Sequence, residues 1–251
     1  METGFLHRSL DLAGTRYPYM VYVPSGYDTA APLPVILFLH GSGERGTDGL
    51  RATQIGVGAA IRARPERVPA LVVFPQVPPG GRWLDAPADA AMAALDRTLA
   101  EFGGDPRRVY LTGISMGGYG AYHLALAHRE RFAALVVVCG GLLPHRMTTA
   151  VRQSPLTQSL TQPLTQPDAG DAYAITARAL RGLPLWLFHG ADDRVIPVEE
   201  SRRMFAELRR AGADVRYTEY AGVGHNAWDA AYADEELWRW LFAQSRAPRL
   251  A

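Results

Sequence analysis

Residues Gly113-Ile114-Ser115-Met116-Gly117 constrain this chain more than any other stretch. They stand between residues 108–112, which read as a short buried strand, and a segment of helical character, 119–126. Gly-x-Ser-x-Gly in that setting predicts a tight strand-to-helix turn that holds the Ser115 hydroxyl out from the end of a strand. Such a turn is strained, so its flanking positions cannot carry bulky side chains. Gly113 and Gly117 meet that need, and Gly118 lets the following helix pack close.

The rest of the chain repeats the strand-then-helix alternation. Runs 20–23, 34–39, 71–74, 132–139 and 185–188 read as strands. The run 34–39 has no polar alternation, as expected of a strand covered on both faces. Segments 86–102, 198–211 and 234–242 have helical spacing, and Gly103-Gly104 and Gly212 stop the first two. Residues 215–220 form the last strand, with Val215, Tyr217 and Glu219 alternating against Arg216, Thr218 and Tyr220. This order implies an α/β class with a mostly parallel central sheet and helices on both faces. A chain of 251 residues, 48% hydrophobic, suffices for one sizeable core, so 1–251 is expected to be a single domain.

The formal charge of +1 gives no electrostatic argument for nucleic acid or an anionic membrane as partner. The basic residues are all arginine, and pairs such as Arg202-Arg203 and Arg209-Arg210 lie on a helical pattern as a solvated face. A single cysteine, Cys139, excludes an internal disulfide and a cysteine-based metal cage; its apolar surroundings predict a buried, inert thiol. No zinc spacing, dinucleotide-binding glycine pattern or calcium-like acidic cluster is present, so no metal or cofactor is expected. No apolar run approaches the length of a membrane span, and the first residues carry no secretory signal pattern, so the expected location is cytoplasmic.

Residues 154–167 repeat Leu-Thr-Gln with interspersed proline, a composition that offers little apolar surface to pack. The surrounding 143–170 is expected to be a flexible insertion. It leaves the carboxyl end of a strand, the edge where ligands bind in open α/β folds, so it reads either as a lid or as an insertion without a role.

A serine hydroxyl needs a base within hydrogen-bond reach, and the base needs a carboxylate to fix its tautomer. The segment His189-Gly190-Ala191-Asp192-Asp193 follows strand 185–188 and offers two carboxylates. The segment Gly222-Val223-Gly224-His225-Asn226 follows the last strand and offers a histidine on a glycine-rich loop. His225 alone combines the right chain order, a loop after a strand and flanking glycines. His40 and His189 end strands in His-Gly pairs, and His123 and His128 fall on the helix after the turn. Spacing by itself leaves Asp192 and Asp193 both open. Trp83 and Trp228 are candidates to line a substrate pocket, with core packing the alternative for each. The N–H of Met116, at a helix start, suits an oxyanion because the helix dipole favours negative charge there.

With these motifs in place, the chain resembles the α/β-hydrolases over nearly all its length. The segments 39–46, 113–120, 188–197 and 224–228 are similar to small serine esterases of the phospholipase/carboxylesterase, polyhydroxybutyrate-depolymerase-like and feruloyl-esterase group. Some of that group are described as peptidases of the prolyl oligopeptidase type. The resemblance implies an α/β-hydrolase fold without a large cap domain, and a Ser115–His225–Asp193 triad. Asp193 rather than Asp192 matches the acid's place two before the valine of Asp-x-Val-x-Pro. It also implies a second oxyanion N–H from Ser42, with Gly43 the next choice, and puts His40 in the oxyanion loop. The function so implied is hydrolysis of a small-molecule carboxylic ester through an acyl-enzyme. A peptidase or thioesterase using the same residues is the alternative, and a non-catalytic binding protein on this fold is a third reading.

Overall fold

The computed structural model describes residues 2–27, 31–142 and 171–247. The insertion expected at 143–170 lies outside them. Eight strands make one sheet: β1 (Gly4–Leu12), β2 (Thr15–Val23), β3 (Val35–Leu39), β4 (Leu71–Pro75), β5 (Val109–Ile114), β6 (Ala134–Val138), β7 (Leu185–Gly190) and β8 (Val215–Tyr220). Their spatial order is β1-β2-β4-β3-β5-β6-β7-β8. The β1–β2 and β2–β4 pairs are antiparallel and the other five pairs are parallel. The helices among the described residues are α1 (Val57–Ala63), α2 (Asp85–Phe102), α3 (Met116–Ala127), α4 (Ala172–Leu180), α5 (Glu199–Arg210), α6 (Trp228–Ala233) and α7 (Glu235–Ala243). None is long and apolar enough to cross a membrane.

Strand period decides the layering. Val35, Leu37 and Leu39 of β3 face a core built with α2, α3, α4 and α5, while Ile36 and Phe38 face one built with α1, α6 and α7. Every residue of β3 through β7 is buried, which is why these strands read as unbroken apolar runs. Each fully buried Leu, Ile or Phe there stabilises the fold by about 1.5–3 kcal/mol relative to an exposed one. The expected parallel sheet with helices on both faces is therefore present.

Some elements were not legible in the residues. β1 is an edge strand with His7, Arg8 and Ser9 in its middle, so it shows no apolar run. It is joined to β2 by Ala13-Gly14, at φ 49° and 79°, the two positive values that a two-residue type I′ hairpin turn requires. The short helices α1, α4 and α6 lie outside the helical segments that the sequence predicts. α3 begins at Met116, three residues before the helical pattern of the sequence, because Gly117 and Gly118 mask its first turn.

The chain runs from β3 to β4 on one side, then crosses back to β5 on the other. The loops after β3 and β5 thus diverge and leave a crevice at the carboxyl edge of the sheet, the point where ligands bind in such folds. The loops after β7 and β8 reach the same edge.

Candidate active site

Ser115 stands between the end of β5 and the start of α3, at φ 51° and ψ −118°, a conformation costly for a residue with a side chain. Close packing around it holds that strain in place. A Cβ at Gly113 would sit 2.1 Å from Gly117 O, and a Cβ at Gly117 would sit 1.9 Å from Leu39 O. Only glycine permits the turn to fold back on itself and the end of β3 to lie against the start of α3.

His225, on the loop after β8, brings its Nε2 to 2.8 Å from Ser115 Oγ. Its Nδ1 lies 2.7 Å from Asp193 Oδ2. Asp193, on the loop after β7, has a fully buried side chain, whereas His225 keeps 19% of its side-chain surface exposed. The other Asp193 oxygen accepts the Val195 N–H at 2.8 Å and the Ile196 N–H at 2.9 Å. His189 Nε2 is 3.2 Å from Asp193 Oδ2 and 3.0 Å from Ile196 O, and its Nδ1 is 2.7 Å from Ser201 Oγ. Since Ile196 O can only accept, His189 carries its proton on Nε2 and accepts from Ser201. Burial by itself would raise the Asp193 carboxyl, but hydrogen bonds from His189, His225 and the Ile196 and Val195 N–H groups outweigh it and hold the group far below the usual carboxylate range. Asp192 is exposed and contributes its backbone N–H to Val223 O at 2.9 Å. Of the two aspartates, Asp193 is the one bonded to the imidazole.

The loop after β3 carries the other half of the site. Gly41 lies close enough to Ser115 that a Cβ on it would be 3.6 Å from Ser115 Cβ. Ser42 opens a single 3-10 turn, and among the described residues neither its N–H nor that of Met116 has a hydrogen-bond acceptor. The loop is shaped by His40, which is buried. Val77 N–H donates to His40 Nε2 at 3.0 Å, so the proton is on Nδ1, which donates to Gly41 O at 2.6 Å. Burial drives the His40 imidazole down to about 4 from 6.5, against the pull of the Gly41 carbonyl. An unfolded His40 takes up its proton as pH falls through 6.5, and the folded one does not until about 4. Between those values the unfolded state binds more protons, so stability declines as pH falls through that window, by roughly 3 kcal/mol from this residue. NMR titration is expected to show the His40 ring neutral and protonated on Nδ1 at pH 5; a transition near 6.5 would contradict this.

Trp83 is 2% exposed, its Nε1 donates to His40 O at 2.9 Å, and its ring meets the His40 ring edge-on at 4.9 Å. This geometry fits the core-packing alternative for Trp83, beneath the loop that carries Ser42. Trp83→Phe leaves a buried carbonyl without its donor and is expected to cost about 1–3 kcal/mol, read by urea unfolding. It should change kcat/KM for short and long esters by the same factor; a change confined to one acyl length would put Trp83 on the pocket wall. Trp228 is half-buried and stands edge-on to His225, ring centroids 5.4 Å apart, so it remains at the site.

Cys139 is buried in the core as the sequence predicts, and it also lies beneath the site. It follows β6 at φ 41°, fully buried, and its sulfur comes within 4.8 Å of a donor atom of Asp193 and of His225. These three are the side chains here that could together hold a metal ion. Burial pushes the thiol well above its ordinary range, so it stays protonated and is a weak ligand. Its closeness had no signal in the sequence, because β6 and β7 must pair before Cys139 and Asp193 become neighbours.

Loops after β3, β5, β7 and β8 closing over one crevice of a mostly parallel sheet are how α/β-hydrolases are built, and this chain has that fold. It belongs to the prolyl oligopeptidase family, whose model matches residues 81–246. It is similar to a solved thermostable esterase, 31% identical, TM-score 0.77, over 96% of this chain and 63% of that one. A curated relative, the probable feruloyl esterase C of Aspergillus terreus, is 28% identical over 127 residues, half of this chain and 47% of that protein. The chain thus matches about half the length of that relative. The S-formylglutathione hydrolase FrmB of Staphylococcus aureus shares the fold at 16% identity, TM-score 0.70, over 96% of this chain and all of that one.

Proposed function

We propose that this protein is a serine hydrolase that cleaves carboxylic esters of small molecules. The observation that carries the reading is the unbroken hydrogen-bond chain from Asp193 through His225 to Ser115. In it Ser115 Oγ attacks the ester carbonyl while His225 Nε2 takes its proton. The tetrahedral oxyanion accepts the N–H groups of Met116 and Ser42, aided by the dipole of α3. His225 then protonates the leaving alcohol, and a water activated by His225 releases the acyl group. Asp193 stays ionised throughout, holds the imidazole in the tautomer with its proton on Nδ1 and stabilises the imidazolium. Trp228 forms part of the pocket wall next to His225.

Ester cleavage is favoured by the names of the thermostable esterase and the feruloyl esterase to which the chain is similar. Membership of the prolyl oligopeptidase family favours a peptide as the second reading. Both share every step up to the leaving group. A series of 4-nitrophenyl esters, alkyl esters, thioesters and peptide anilides tests the choice: turnover of esters with anilides inert supports the proposal, and the reverse order supports the peptidase.

A further inference from the structure

The loop that holds Ser42 also carries a cation for which hydrolysis itself gives no reason. Arg45 turns its guanidinium back over the site. Its Nε donates to Gly81 O at 2.7 Å, its Nη1 to Ser42 O at 3.3 Å, and its Nη2 lies 2.8 Å from Met116 Sδ. All three partners are uncharged, and no carboxylate among the described residues pairs with Arg45. Glu44, its neighbour in the chain, is half-buried and turned toward Gly41, where a Cβ would lie 3.0 Å from its Oε2.

The charge that acts on Arg45 is of the same sign. Arg82 follows the very residue whose carbonyl Arg45 holds, is partly exposed, and has no hydrogen bond or ion pair with a described residue. Burial first and Arg82 second lower the Arg45 guanidinium. Arg8, Arg67, Arg108, Arg131, Arg202, Arg203 and Arg216 each reach a carboxylate, while Arg62, Arg97, Arg107 and Arg129, like Arg45, bond uncharged groups; what distinguishes Arg45 is its place against Ser42 and Met116. Arg45 holds the carbonyl of Gly81, the residue just before Arg82, so an anion seated at this part of the rim has two guanidinium groups within reach. Their forked donors match a carboxylate in particular.

We propose that Arg45 and Arg82 form a carboxylate subsite at the rim of the crevice, and that the substrate is an ester with a carboxylate a few bonds from its scissile carbonyl. The inference rests on the hydrolase reading above. Arg45 touches both Ser42 and Met116, whose N–H groups are assigned to the oxyanion. The guanidinium therefore lies within a side chain's length of the bound carbonyl, and a carboxylate on either the acyl or the alcohol part can reach it.

Two matched pairs separate those parts. Mono-(4-nitrophenyl) adipate is compared with 4-nitrophenyl hexanoate for the acyl side, and 4-acetoxybenzoate with its methyl ester for the alcohol side. Within each pair the ratio of kcat/KM, anionic over neutral, cancels any loss of turnover that a variant suffers in common. In one pair the wild-type ratio should exceed that of Arg82→Gln and of Arg45→Gln by at least tenfold, mainly through KM, and should shrink in 0.5 M NaCl as the charges are screened. Turnover of the neutral esters with ratios unaltered by either substitution in both pairs overturns the subsite and leaves the hydrolase standing. No turnover of any of the four esters, with no labelling of Ser115 by a fluorophosphonate, overturns both.

Discussion

Ser115→Ala is expected to abolish fluorophosphonate labelling and to lower kcat for aryl esters by about 10⁶, leaving only what binding and the oxyanion donors supply. The size follows from the mechanism. Without Oγ there is no acyl-enzyme, and water must attack unaided by a covalent step. The fold should tolerate the change, because the strained backbone at 115 is held by Gly113, Gly117 and the end of β3, not by the serine hydroxyl. A melting temperature near wild type together with loss of labelling is the expected pair of results. Labelling that persists in Ser115→Ala would place the nucleophile elsewhere.

Asp193→Asn should lower kcat by about 10⁴. The asparagine oxygen can still accept the Val195 and Ile196 N–H groups, so the loop keeps its shape. Its amide nitrogen then faces His225 Nδ1 and His189 Nε2 as a donor. His225 is pushed to the tautomer with its proton on Nε2, facing Ser115, and can no longer act as base. Asp192→Asn serves as the control: that side chain is exposed, and a change of less than about twofold is expected. Equal losses in the two variants, or a larger loss at Asp192, would refute the assignment. The pH profile supplies a second check. Because Asp193 is held far below the usual carboxylate range, the fall of kcat/KM on the acid side reports protonation of the base and not of the acid.

Much of this protein can be read from its residues, for a local reason. β3 to β7 are buried on both faces, so each appears as an apolar run that needs no knowledge of its neighbours. The turn at Ser115 demands glycine at fixed offsets, and the order of serine, aspartate and histidine along the chain follows from strands that come one after another in a parallel sheet. These features let Ser115, His225 and the pair Asp192 and Asp193 be named together before any contact between them is known.

What depends on partners distant in the chain was decided by tertiary structure. β1 exists because β2 offers it an edge to pair with, and its polar face hides it from a search for apolar runs. The choice between Asp192 and Asp193 is a one-residue question of which carboxylate turns inward, and spacing leaves it open; the Val195 and Ile196 N–H groups and His189 settle which one is buried. Trp83 looks like any loop tryptophan until α3 brings Gly120 against it and His40 O above its indole nitrogen. Cys139 and Arg45 likewise carry no motif. Local sequence encodes conformation and burial, whereas the meeting of 45 with 116, or of 139 with 193, is fixed only when the strands pair and the loops at their ends are brought together.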